Sequence, residues 1–71
     1  MEQLGARLYA LRRIHGWSKA ELARRLLVSP VTVANWEKGV TKPTADKLVL
    51  LKYLFKVGYD FILEGSGESA V

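Results

Sequence analysis

A chain of 71 residues, 49% hydrophobic and 25% charged, has room for one modest core and excludes a second domain. It has no cysteine, which excludes disulfides and thiolate metal sites, and its one histidine, His15, cannot assemble a zinc or catalytic cluster alone. The net charge of +4 is unevenly placed: residues 1–42 hold eight Lys/Arg against three acids, residues 43–71 three against four, so a polyanionic partner is suggested for the first part.

Leu4, Leu8, Leu11 and Ile14 recur at intervals of three and four, which predicts a first helix over residues 2–15, ended by Gly16. Ser18-Lys19-Ala20-Glu21 then forms a capping box, in which the serine oxygen accepts from the Glu21 N–H and the glutamate reaches back. Trp17 before the cap and Leu22 after it are a candidate hydrophobic staple, and the second helix is expected to run to about Leu26. Ser29 caps a third helix, with Pro30 at its first position, where a missing N–H costs nothing, and Gly39 past its end. Thr44 after Pro43 starts a fourth, with Leu48, Leu51 and Phe55 on one stripe, and Tyr59 to Leu63 makes a short fifth before Gly65. Residues 65–71, GSGESAV, read as a flexible tail to a domain of residues 1–64.

Every apolar stripe has helical spacing and none alternates with period two, so the fold is expected to be all-α. The longest apolar run, Leu48 to Leu51, is far too short to span a bilayer. Only two or three residues separate the second and third helices. A junction that short is a helix-turn-helix rather than a long antiparallel hairpin.

The third helix carries apolar residues on two sides. At 100° per residue, Val33, Trp36 and Glu37 share one side, and Val31, Asn35 and Lys38 share the other, flanked by Thr32 and Ala34. The first side reads as core. On the second, Val31 is either one of the single apolar residues common on surfaces or part of a contact face. Asparagine can pair bidentately with the N6/N7 edge of adenine, and the methyls of Val31, Thr32 or Ala34 can meet thymine. Lys19 stands in the first turn of its helix, against the macrodipole. It is either solvated or placed beside an anion, since helix N-termini with free N–H groups hold phosphates. Lys38, Thr41 and Lys42 follow in the loop after the third helix.

Lys19 to Lys38, read with Arg12, Gly16 and Pro43, resembles the helix-turn-helix of the phage repressor and Cro family, over roughly residues 4–64. The resemblance rests on Ala23, where the second helix must approach the third closely, on Leu22, Leu26, Val28, Val33 and Trp36, and on Trp36-Glu37-Lys38-Gly39. It implies a compact five-helix, lambda-repressor-like domain that binds double-stranded DNA sequence-specifically as a small transcriptional regulator, more usually a repressor. Its third helix would lie in the major groove. Pro30, Val31, Thr32 and Asn35 occupy the positions matching base contacts. Lys19, Ser29, Lys38, Thr41 and Lys42 match backbone contacts, and Arg12 and Glu37 match a partly buried ion pair. The chain departs from the family at Leu27, where glycine is common, at Lys19, where glutamine is usual, and at Pro30 and Val31, where a polar pair is usual.

The resemblance further implies a homodimer on a two-fold operator, in the bacterial or phage-encoded setting of a cytoplasmic, nucleoid-associated protein. Tyr59, Phe61 and Ile62 are either its contact residues or caps on the core. Arg24 and Arg25 read as a solvated face, His15 as a favourable charge at a helix C-terminus when protonated, and Ser18 and Ser29 as caps. No paired carboxylates, nucleophile with base or phosphate loop point to an enzyme. No cofactor, metal, membrane or small-molecule substrate is implied. A protein-interaction module, an antitoxin or adaptor on the same fold, is the alternative, but cations at both flanks of the third helix favour DNA.

Overall fold

Leu4, Leu8 and Leu11 lie within about 60° of one another on a helical wheel, and burying that stripe organises the N-terminal third of the domain. The computed structural model describes residues 2–58 and 61–62. In it α1 spans Glu2–Ile14 with all three leucines buried. Ile14 departs from expectation: it is 77% exposed, because a residue three past Leu11 swings about 80° off the stripe. The position that continues the stripe is His15, whose ring packs 4.7 Å from that of Trp17 and 5.1 Å from that of Phe55. Its Nδ1 lies 2.9 Å from the Leu11 carbonyl at the helix end. Gly16 turns the chain there with φ of 73°.

Helix α2 (Lys19–Leu26) starts as its capping residue dictates, with the Ser18 hydroxyl accepting from the Glu21 N–H at 3.0 Å. The Glu21 carboxylate turns the other way, to Arg24 and, at 2.8 Å, to Arg25. Leu22, Ala23 and Leu26 are buried, and Trp17 packs half-buried against the same core. The helix closes with the Val28 N–H on the Ala23 carbonyl and the Leu27 N–H on Arg24, a Schellman motif that requires a left-handed residue. Leu27 takes that conformation, with φ of 59°.

The same closure ends α3 (Pro30–Lys38), where Gly39 supplies the left-handed residue and the Val40 N–H reaches the Asn35 carbonyl at 2.9 Å. At its start the Ser29 hydroxyl accepts from the Thr32 N–H. Helix α4 (Ala45–Phe55) buries Leu51 and Phe55, and Leu48 packs partly buried on the same cluster. Its Lys47 ammonium donates to the Leu26 carbonyl at 2.9 Å, capping the last turn of α2 across the fold.

Four helices are thus described. Of the expected fifth, Phe61 and Ile62 are helical, whereas Tyr59, Asp60 and Leu63 lie outside the described residues, as does the tail 65–71. Ile62 is fully buried and Phe61 packs against the core, so these two side chains cap the core. The Arg7 guanidinium Nε donates to the Ile62 carbonyl at 2.8 Å. No described helix is long and apolar enough to cross a membrane.

Helix α3 lies between α1 and α2. Against α1 the approach is backbone to backbone: a Cβ on Gly5 would stand 2.4 Å from the Glu37 carbonyl oxygen and 2.6 Å from that of Trp36. Only glycine permits that spacing.

Candidate nucleic-acid interface

Burial separates the two sides of α3 cleanly. Val33 and Trp36 are buried, and Val31 on the opposite side is 66% exposed. Thr32, Ala34 and Asn35 are half-buried, and Pro30 and Lys38 are exposed. The Thr32 hydroxyl lies 3.0 Å from that of Ser29, so both are engaged in the N-terminal cap. Pro30, Val31, Thr32 and Asn35 therefore all sit on the first turn and a half of one helix, with side chains available to a ligand laid along it.

Two devices set how far this helix projects and which way it faces. One is the Gly5 contact. The other is Arg12, whose guanidinium donates to both oxygens of Glu37 at 2.8 and 3.1 Å, with both side chains under 10% exposed. Its third contact is the Trp17 carbonyl, at 2.9 Å. A planar fork matched to a carboxylate fixes orientation as well as distance. The Glu37 hydrogen bond holds the Arg12 guanidinium above its ordinary range, against the opposing effect of burial. A group raised in the folded state stabilises it at all pH values below the unfolded pKa, so this contribution is in place throughout the range in which the protein would be handled.

Of the cations up to residue 42, Arg7 donates to the Ile62 carbonyl and the others divide into two sets. Arg12, Arg24 and Arg25 are paired with carboxylates, Arg13 donates to the Tyr9 hydroxyl, and Arg25 also lies over the Trp17 ring at 4.2 Å. Lys19, Lys38 and Lys42 form no ion pair among the described residues and are exposed. Lys19 stands at the N-terminus of α2, Lys38 ends α3, and Lys42 follows beside exposed Thr41. Unneutralised positive charge thus collects at both ends of the helix-turn-helix. The Thr41 N–H also turns to the Asn35 carbonyl, at 3.4 Å, folding this loop back over the end of α3.

Gly5 positions this face and was not singled out from sequence, nor were Arg7, which ties α1 to Ile62, and Lys47, which ties α4 to the end of α2. A glycine inside an otherwise leucine-striped helix, away from any cap, is the signal that points to a close backbone approach. Arg7 and Lys47 carry no comparable signal, since each binds a carbonyl distant in sequence.

Two helices joined by a closed three-residue turn, the second presenting an unburied face flanked by unpaired lysines, define a helix-turn-helix domain. Residues 8–61 match the family described as helix-turn-helix, and the chain belongs to it, on the phage repressor and Cro branch. It is 35% identical over 57 residues to the uncharacterized HTH-type transcriptional regulator YobD of Bacillus subtilis (strain 168), an alignment covering 80% of this chain and 51% of that protein. The chain therefore spans about half the length of this curated relative. Among solved structures it is similar to the P22 c2 repressor protein, determined in complex with synthetic operator 9T in the presence of Tl+. The TM-score is 0.84 at 28% identity, covering 89% of this chain and 96% of that one.

Proposed function

We propose that this protein binds double-stranded DNA sequence-specifically as a transcriptional regulator, most simply a repressor, with α3 in the major groove. The observation that carries the reading is the exposed face of α3 with Lys19, Lys38 and Lys42 unpaired around it. The operator complex of the similar P22 c2 repressor supports it. In this reading Asn35 pairs with an adenine, Val31 and Thr32 meet thymine methyls, and Pro30 sets the approach of the first turn. Lys19, Ser29, Lys38, Thr41 and Lys42 bind phosphates, the serine and threonine through hydroxyl and backbone groups. A regulator of this kind works where the chromosome is, so we place it in the cytoplasm. It acts as a homodimer, because one reading face of short side chains makes few specific contacts and a two-fold operator doubles them.

Selection of bound fragments from a random duplex pool tests this, with the recovered site then used to compare wild type and Asn35→Ala. The variant is expected to lose about 1–3 kcal/mol of specific binding and its preference at one base pair. Folding stability should fall by no more than about 0.5 kcal/mol. A pool that emerges without a common sequence, or an Asn35→Ala variant that melts early with unchanged base preference, would overturn the reading.

A further inference from the structure

Helix α4 is apolar on both sides. Leu51 and Phe55 face the core, whereas Val49, Leu50 and Tyr53 point away from it, 39%, 41% and 69% exposed. The outward residues form one stripe, opened three residues earlier by Asp46 and closed three residues later by Lys56, the left-handed residue that caps the helix. Asp46 and Lys56 are both exposed and form no ion pair among the described residues. An apolar stripe on the solvent side of a helix whose other side is core marks a contact face. The other exposed large apolar side chains stand differently. Tyr9 stands without a large apolar neighbour on its exposed side, between Arg12 and Arg13 as Tyr53 stands beside Lys52, Val31 belongs to the reading face, and Ile14, Leu27 and Val40 stand singly at helix ends and turns.

We infer that this stripe is where two copies of the chain meet, α4 against α4, antiparallel about a two-fold axis passing beside position 51. The pattern is self-complementary. The midpoint between Val49 and Tyr53 and the midpoint between Asp46 and Lys56 fall at the same position. One axis therefore brings Val49 onto Tyr53 of the partner subunit and Asp46 onto Lys56 of the partner subunit, twice each, as an isologous contact requires. Antiparallel helices also set their dipoles favourably. The inference rests on the dimeric reading above, and the dimensions suit it. The domain measures 29 × 22 × 21 Å between Cα atoms, so with side chains added, copies on half-sites about 34 Å apart stand close enough to touch. Three apolar side chains per copy fall well short of a standard interface of about 1,200–2,000 Å², so the contact is weak without DNA, with a Kd of about 0.1–1 mM.

Sedimentation equilibrium up to about 2 mM is expected to show this self-association. Asp46→Lys reverses both charge pairs of the dimer and should weaken it about tenfold, as should Lys56→Asp; the double variant, with the pairs exchanged, should recover it. Because the chain has no cysteine, Val49→Cys and Tyr53→Cys proteins can be mixed and oxidised. The mixed disulfide should exceed either same-residue disulfide. These positions are exposed, and circular dichroism confirms that each variant is folded. A chain monomeric throughout, a dimer indifferent to both charge reversals, or a preference for same-residue disulfides would overturn the α4 pairing while leaving sequence-selective DNA binding intact. Conversely, a DNA pool without a common sequence together with the expected disulfide would overturn the DNA reading alone.

Discussion

Removing Glu37 should come close to unfolding the domain. Glu37→Ala deletes both hydrogen bonds that Arg12 donates to the carboxylate and leaves the guanidinium more than 90% buried with the Trp17 carbonyl as its remaining hydrogen-bond acceptor and the Tyr9 ring alongside. Breaking a buried pair this way costs about 3–5 kcal/mol, mostly as an uncompensated buried charge. Domains of this length hold about 4–10 kcal/mol in total. At about 4–8 °C per kcal/mol, the melting temperature should fall by at least about 12 °C. Arg12→Met/Glu37→Leu removes the charge and its partner together and fills the space with apolar atoms. It forfeits the Trp17 bond, about 1 kcal/mol, and should lie within about 2 kcal/mol of wild type. Urea and thermal unfolding of wild type, both single variants and the double variant complete the cycle. A Glu37→Ala loss below about 1 kcal/mol, or a double variant no better than that single, would refute the argument that the pair is buried and mutually dependent.

Gly5→Ala gains about 1 kcal/mol of helix propensity but drives a methyl into the α3 backbone, an overpacking cost of about 1–3 kcal/mol or more where no side chain can yield. A net loss is expected in thermal melts, and an unchanged or raised midpoint would contradict the Gly5 contact. Leu27→Gly should stabilise the fold by about 0.5–1 kcal/mol, since Leu27 is 84% exposed and its left-handed conformation is the only thing at issue. Lys19→Ala should weaken binding to unrelated duplexes equally and reduce the slope of log K against log salt by about 0.9. Titrations at several salt concentrations measure it, and an unchanged slope would remove Lys19 from the phosphate contacts.

The first three helices were legible in the sequence because their ends are marked locally. Ser18, Ser29, Gly16, Gly39 and Pro30 each act through backbone groups a few residues away, so the signal and its effect lie in one short stretch. The two faces of α3 were legible for the same reason, since helical spacing alone separates Val33 and Trp36 from Val31 and Asn35. What depends on how helices cross was not. Ile14, though spaced three from Leu11, drifts off the stripe, and its place is taken by His15, whose ring meets those of Trp17 and Phe55 only once the chain has turned at Gly16. The Lys47 bond to Leu26 joins residues 21 apart, whereas the inner side of α4 was legible, since Leu48, Leu51 and Phe55 share one stripe and face the core. For Phe61 and Ile62 the sequence left core and contact open, and burial places Ile62 in the core with Phe61 half-buried against it.

The Gly5 seam also separates what must be kept from what can change. Because α3 is held to α1 through main-chain atoms and through Glu37, and Val31 and Asn35 lie more than about 100° round the helix from Glu37, those two residues can vary without disturbing the attachment. The domain behaves as a fixed handle with an interchangeable edge. A lineage can rewrite its specificity one outward residue at a time, and a library randomised at those positions should return many folded members with divergent preferences.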